Sequence, residues 1–292
     1  MQKNTRPLIL FTNDDGIQSP GLWAVAQAFE GLGDLLIVAP REQQSGMGRS
    51  LPSFSAGHIY PYDDVPFKLK DCTAYAVDGT PAQAVQHGVL ELSDRKPSLL
   101  VSGINYGDNT GNGVTISGTV GAAIEAASLD IPAIAVSQQT PFDLHLSYSD
   151  NVNFLVAAQI SRKFGEWFLE HTALPDDVDL LKIDVPLEAT PETEWRMTRL
   201  SRRRVYWPTR PERDSIDGIG KLGYQYKADP AKAEPDSDVY TLMHDKVISV
   251  TPMSLDMSSR TDLFRLRQIL EGERSYGGEP KTSHSRGSSR HN

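Results

Sequence analysis

The stretch Leu8-Ile9-Leu10-Phe11-Thr12-Asn13-Asp14-Asp15-Gly16 runs from an apolar, strand-like segment straight into two adjacent carboxylates. Neighbouring side chains of a strand point to opposite faces, so Asp14 and Asp15 converge on one point only where the backbone has left the extended conformation. Gly16 permits that turn. Beyond it Pro20 suits the first turn of a helix, and Leu22, Val25, Ala26 and Phe29 recur at helical spacing, which predicts strand, acidic turn and helix in succession. In open α/β sheets ligands bind at the carboxyl ends of the strands. Two carboxylates pressed together there repel, which raises one pKa or calls for a cation. An Asx turn followed by a helix cap is the better explanation of an isolated Asp-Asp pair, so the functional reading has to be carried by further motifs.

The same alternation continues to about residue 185. Leu35-Leu36-Ile37-Val38-Ala39 reads as a buried strand closed by Pro40, and residues 53–76 as a β excursion with strands at His58-Ile59-Tyr60 and Thr73 to Val77. A helix is predicted over Pro81 to Leu92, capped by Thr80 with Pro81 at its first position. Ser98-Leu99-Leu100-Val101 is a third buried strand, Gly118 to Ser128 a small-residue helix, and Ile131 to Val136 a fourth strand. Asp150 is positioned to cap a long amphipathic helix bearing Val152, Leu155, Val156, Ile160, Phe164, Trp167 and Phe168, before Leu180 to Val185 closes the series. Such alternation predicts an α/β fold with a Rossmann-like, doubly wound, mostly parallel sheet.

Past Pro186 the texture changes. Thr193 to Trp207 and Lys246 to Thr251 read as strands around a Pro-, Gly- and charge-rich insertion, and Thr261 to Leu270 as a short amphipathic helix. We therefore expect a catalytic core over 1–190, a β-rich hairpin and helix extension for oligomerisation over 191–272, and a disordered tail over 273–292, where little can be buried.

A formal net charge of −9 over 292 residues argues against an extended nucleic-acid groove but is compatible with a small anionic substrate held by a metal. Cys72 is the single cysteine, so neither an intrachain disulfide nor a thiolate metal site is expected. The N-terminal apolar run is too short for a signal peptide or a membrane span, and a cytoplasmic protein without membrane contact is expected.

Two further loops fall where the first predicts them. After the second strand comes Ala39-Pro40-Arg41-Glu42-Gln43-Gln44-Ser45-Gly46-Met47-Gly48-Arg49-Ser50, whose glycines let N–H groups approach an anion and whose Ser45 hydroxyl can ligate a hard cation. After the third comes Ser102-Gly103-Ile104-Asn105-Tyr106-Gly107-Asp108-Asn109, continuing to Gly113, with the Asn105 carboxamide just past the strand end as Asp14 is. Ser117-Gly118-Thr119 then opens a helix and offers hydroxyls and N–H groups to a phosphate, although a plain helix cap by Ser117 is equally good local chemistry.

These four segments, Asn13-Asp14-Asp15-Gly16 with Pro20-Gly21, the Ser45-Gly46-Met47-Gly48-Arg49-Ser50 loop, Ser102 to Asn109, and Ser117-Gly118-Thr119-Val120-Gly121-Ala122-Ala123, closely resemble the SurE family of survival-protein nucleotidases in order and spacing. The resemblance implies divalent-metal-dependent hydrolysis of nucleoside 5′- and 3′-monophosphates, sometimes of short polyphosphate, on a Rossmann-like core. It also implies C-terminal segments swapped between subunits of a homodimer or homotetramer. By motif, Asp14, Asp15, Ser45 and Asn105 would hold one divalent cation per subunit, with Asp14, Asp15 and Asn105 catalytic. Asn109, Ser117, Gly118 and Thr119 would line the phosphate site, and Asn13 and Gly46 complete the substrate-binding set. Oxygen donors without thiolate or imidazole favour Mg²⁺ or Mn²⁺. Family members often carry an aromatic residue where Ile116 stands here, so a stacking contact to the base is missing or comes from elsewhere.

Competing readings are a metal-dependent nucleotide sensor without turnover, an acid phosphatase or exopolyphosphatase of broader specificity, and a haloacid-dehalogenase-like aspartyl-phosphate enzyme, whose acids however stand as Asp-x-Asp. His87 is expected to pack or face solvent, and His145 and His244 have no evident partners. Arg202-Arg203-Arg204 is read as a solvated charge run, and Trp195, Tyr206, Trp207 and Tyr224 as interface or core aromatics. Asp184 follows an apolar strand and serves either as a supporting acid or as a strand-end turn.

Overall fold

The computed structural model describes residues 6–145, 149, 151–171 and 174–272. The predicted disordered tail over 273–292 and the Asp150 cap lie outside these residues.

The α/β reading holds. A nine-stranded sheet runs in the order β3-β4-β2-β1-β5-β6-β7-β11-β8. Its strands are β1 (Leu8–Thr12), β2 (Asp34–Pro40), β3 (Ile59–Pro61), β4 (Cys72–Val77), β5 (Leu99–Tyr106), β6 (Ala133–Gln138), β7 (Leu180–Val185), β8 (Trp195–Met197) and β11 (Ile248–Met253). The six strands from β4 to β7 are parallel, while β3 and β11 pair antiparallel with β4 and β7, and β8 runs parallel to β11. A separate hairpin joins β9 (Tyr206–Thr209) to β10 (Gly223–Tyr226).

All five residues of β1 are buried because helices cover both faces. Ile9 and Phe11 face one core with α1 (Pro20–Ala28) and α4 (Leu155–Glu170), where Phe11 meets Phe29 edge-on at 5.4 Å. Leu8 and Leu10 face the other, with α2 (Pro81–His87) and α3 (Gly118–Ala127). From β1 the chain winds outward through β2 to β4, then returns to β5 on the other side of β1 and winds through β6 to β7. Winding therefore reverses between β1 and β5, which is where a doubly wound sheet opens a crevice at its strand ends. The turn carrying Asp14 and the loop carrying Asn109 flank that point.

Three elements differ from their sequence-based expectations. β5 does not end at Val101: a register shift between Ser102 and Asn105 absorbs the irregularity and pairing with β6 resumes at Asn105 and Tyr106, so Asn105 lies within the strand. The fourth helix begins at Leu155 with Phe154 at its cap, so Val152 lies before it. Thr193 to Trp207 divides into β8 and β9, because Ser201 turns the chain by accepting the Arg203 N–H and donating to Glu234.

β8 and β11 extend the core sheet, and one compact unit reaches to Leu255. A second unit starts at Asp256. Within it α5 (Leu263–Leu270) is capped by Asp262, which accepts the N–H groups of Phe264 and Arg265 at 3.0 and 3.1 Å. Among the described residues no helix is long and apolar enough to cross a membrane.

Candidate active site

Asn13 is wholly buried and uses both ends of its carboxamide on Gly16, donating to its carbonyl at 2.9 Å and accepting its N–H at 3.1 Å. Gly16 itself sits at φ 97°, a conformation that penalises any Cβ. Asn13 is thus the clasp of the turn. The turn directs two buried carboxylates, Asp14 at 4% and Asp15 at 2% exposure, to the end of β1.

Asp14 lies against the N-terminus of α3, accepting the Thr119 hydroxyl at 2.5 Å. A Cβ on Gly118 would fall 2.7 Å from the Asp14 Cβ, so only glycine lets the helix mouth approach this closely. Burial raises the Asp14 pKa, against the opposing pull of the Thr119 hydroxyl and of backbone hydrogen bonds at residues 118 and 119. The phosphate role expected of Gly118 and Thr119 is therefore preceded by a structural one: they hold Asp14. Ser117 caps α3, its oxygen accepting the Val120 N–H at 3.1 Å, which leaves its own proton to donate.

Asp15 is fixed at both oxygens. Gln43 donates to one at 3.1 Å and the Tyr106 N–H to the other at 3.2 Å, and the same Gln43 amide also donates to the His145 carbonyl. Burial, then the charge of Asp14, push Asp15 well above the usual carboxylate range. The loop after β2 is anchored to the turn, because Gln44 donates its N–H to the Asp14 carbonyl at 2.7 Å. In the sequence nothing separates Gln43 from other polar loop residues.

Asn105 donates its amide nitrogen to the Gly107 carbonyl at 2.7 Å, which leaves its oxygen as the uncommitted end of the carboxamide among the hydrogen bonds described. Asn109 donates its backbone N–H to Asp184 and one amide proton to Ser137, at 2.9 and 2.8 Å. Asp184 belongs to a buried ionic cluster. Lys182, wholly inaccessible on β7, pairs with Asp184 and with Asp238, the latter at 3.2 Å. Burial disfavours the lysine charge, but the two carboxylates more than offset it and raise its pKa. Asp238 also accepts the N–H groups of Gly111, Ser201 and Val239. The cluster thus ties β7, the loop after β5 and the segment leading into β9. Asp184 lies within β7 and holds the loop of Asn109, so it is not a strand-end turn.

These elements enclose a cavity of about 390 Å³. Asp14, Ser45, Gly46, Asn105, Asn109 and Ser117 all line it, which brings together six of the residues selected from the sequence. Asp15, Asn13, Gly118 and Thr119 are not among its lining residues. Asp15 nonetheless bonds to the residue after Asn105, so its carboxylate lies against the same strand end. A larger open groove, about 1140 Å³, runs along loop residues 210–219 and shares none of these groups.

The remaining wall was not foreseen. Arg204, Tyr206, Pro208 and Tyr224 bring the β9–β10 hairpin onto the cavity, joined by His145. The Tyr206 hydroxyl donates to Asp108, itself buried and bonded by Thr110, at 3.3 Å. Tyr206 and Tyr224 are therefore cavity residues and not merely core or interface aromatics, and Arg204 is not simply solvated charge.

Among the described residues no group of three or more His, Cys, Asp or Glu side chains is placed to hold a metal. The mixed oxygen set fits a hard divalent cation all the same: two adjacent carboxylates, a hydroxyl and a carboxamide whose nitrogen is already committed.

The four motifs keep their order on the strand ends of this sheet, and a model of the survival protein SurE family matches residues 9–206. The chain belongs to the SurE family. It is similar to proteins named 5′-nucleotidase SurE from Thermococcus kodakarensis, at 38% identity over 90% of this chain and 98% of that protein, and from Methanocaldococcus jannaschii, at 41% over 85% and 92%. The SurE protein of Aquifex aeolicus, known from its crystal structure, superposes with a TM-score of 0.70 at 29% identity, covering 91% of this chain and all of that one. The SurE match ends at Tyr206, within β9, so much of the hairpin wall lies outside the matched span.

Proposed function

We propose that the protein is a divalent-metal-dependent phosphomonoesterase that hydrolyses nucleoside 5′-monophosphates, and 3′-monophosphates as a second substrate class, to nucleoside and phosphate. The observation that carries this reading is the convergence of Asp14, Ser45, Asn105, Asn109 and Ser117 on one cavity beside a helix N-terminus. Relatives named 5′-nucleotidase, similar over most of the chain, support the substrate class.

The cation, Mg²⁺ or Mn²⁺, would be held by oxygens of Asp14, Asp15, Ser45 and Asn105; when bound it supplies Lewis-acid charge to the phosphoryl group and acidifies water. Asp14, the carboxylate that reaches the cavity, orients the attacking water in line with the ester bond. Asp15, clamped by Gln43 and Tyr106, holds its place without turning toward substrate. The Ser117 hydroxyl and the second amide proton of Asn109 donate to the phosphoryl oxygens as charge builds. Homodimeric or homotetrameric assembly with an exchanged C-terminal extension is supported by the apolar side chains Leu263, Phe264, Leu266, Ile269 and Leu270 that α5 gathers within one short amphipathic helix.

The test is incubation of the purified chain with a panel of nucleoside monophosphates and Mn²⁺ or Mg²⁺, reading free phosphate. Release that stops with a chelator and returns with the added ion is expected. Nucleotide binding with no phosphate released identifies a sensor and overturns the reading.

A further inference from the structure

The cavity wall divides chemically. Asp14, Asn105, Asn109 and Ser117 are polar, whereas Tyr206, Pro208, Tyr224 and Ile116 present carbon surface. A phosphate uses only the first group. The second is a sizeable apolar lining that the hydrolysis of the ester does not explain.

Tyr206 and Tyr224 are built differently. Tyr206 is pinned by its hydroxyl on Asp108, and its ring meets His145, Tyr224 and Tyr226 at steep angles of 62–76°. It serves as a fixed support. Tyr224 is 45% exposed on the cavity wall and meets Phe142 and Tyr206 edge-on, at 5.4 and 5.9 Å. Among the described residues no ring lies parallel to Tyr224, so a flat aromatic ligand can stack there. Ile116, 55% exposed, adds aliphatic surface in the same cavity. In the hairpin Tyr224 stands opposite Pro208, which places both on the same wall of the cavity.

We infer that Tyr224, braced by Tyr206 and Phe142, is the specificity-determining residue that receives the nucleobase of the substrate by stacking. The inference rests on the nucleotidase reading of the same cavity. Stacking is sequence-tolerant because every base has a π face, so the platform selects nucleotides over sugar phosphates and favours the larger purines.

The experiment compares adenosine 5′-monophosphate with ribose 5-phosphate, which keeps the sugar and phosphate but has no base. Wild-type, Tyr224→Ala and Tyr224→Phe chains are assayed with Mn²⁺ for KM and kcat, and for Kd by calorimetry. In the wild type the nucleotide is expected to bind more tightly. Tyr224→Ala should shrink that preference roughly tenfold or more, through KM and Kd rather than kcat, and Tyr224→Phe should restore it. An unchanged preference, or equal weakening toward both ligands, overturns the inference while leaving the phosphatase reading standing. If no chain releases phosphate, the function reading falls, and the calorimetric ratio still decides whether Tyr224 receives the base.

Discussion

Asp14→Asn and Asp15→Asn are each expected to lower metal-dependent phosphate release by roughly a hundredfold or more, without unfolding the chain. Asp14 lines the cavity and Asp15 lies beside it, clamped by Gln43 and the Tyr106 N–H, but each would contribute an oxygen to the cation that an amide replaces with a poorer ligand. Stability should change little, because burial and the charge of Asp14 already press Asp15 toward its neutral form, which offsets the hydrogen bond lost where an amide nitrogen faces the Gln43 amide or the Tyr106 N–H. Removing one of two adjacent buried charges relieves that repulsion. Phosphate assays paired with thermal melts check both halves; retained turnover in both variants refutes the assignment.

Lys182→Met is expected to destabilise the fold by about 3–5 kcal/mol, the usual consequence of leaving buried charges without their counterion. Lys182, Asp184 and Asp238 are each wholly inaccessible, so the carboxylates would have to take up protons or draw in water. The damage would not stay local. Asp184 holds the Asn109 N–H, and Asp238 holds Gly111 and Ser201, so the phosphate-side loop and the approach to the hairpin depend on the same lysine. Urea unfolding followed by circular dichroism measures the shift, and a loss below about 1 kcal/mol would show the cluster to be dispensable.

Local pattern carried the first half of the molecule. The apolar run at 8–12, the Pro20 start, and Thr80 with Pro81 are signals contained within a few residues, and each element forms as read. The Thr80 cap closes in both directions with Gln83, at 3.1 and 3.2 Å. The chemistry of Asn105 is legible in the sequence but its place inside β5 is not, because the register shift between Ser102 and Asn105 depends on pairing with β6.

What local pattern left hidden is non-local. Lys182 and Asp184 stand two apart on one face of an apolar strand, but their partner Asp238 is 56 residues beyond Lys182. Tyr206 reaches Asp108 across 98 residues, and Gln43 reaches the His145 carbonyl across 102. No periodicity marks such pairs. In the hairpin, aromatic and arginine residues are the same types that fill surfaces and cores elsewhere, so their place on the cavity emerges only once the sheet has brought residues 108, 145 and 206 together.

Oxygens from separate strand ends are expected to share one hard cation at the cavity. The most direct test is the number of Mn²⁺ ions bound per chain, counted by equilibrium dialysis with electron paramagnetic resonance, in the wild type and in Asn105→Ala. One tightly held ion per wild-type chain is expected, with affinity reduced at least about tenfold in the variant. A wild-type chain that binds no Mn²⁺, or a variant that holds it as tightly as the wild type, would contradict the shared site.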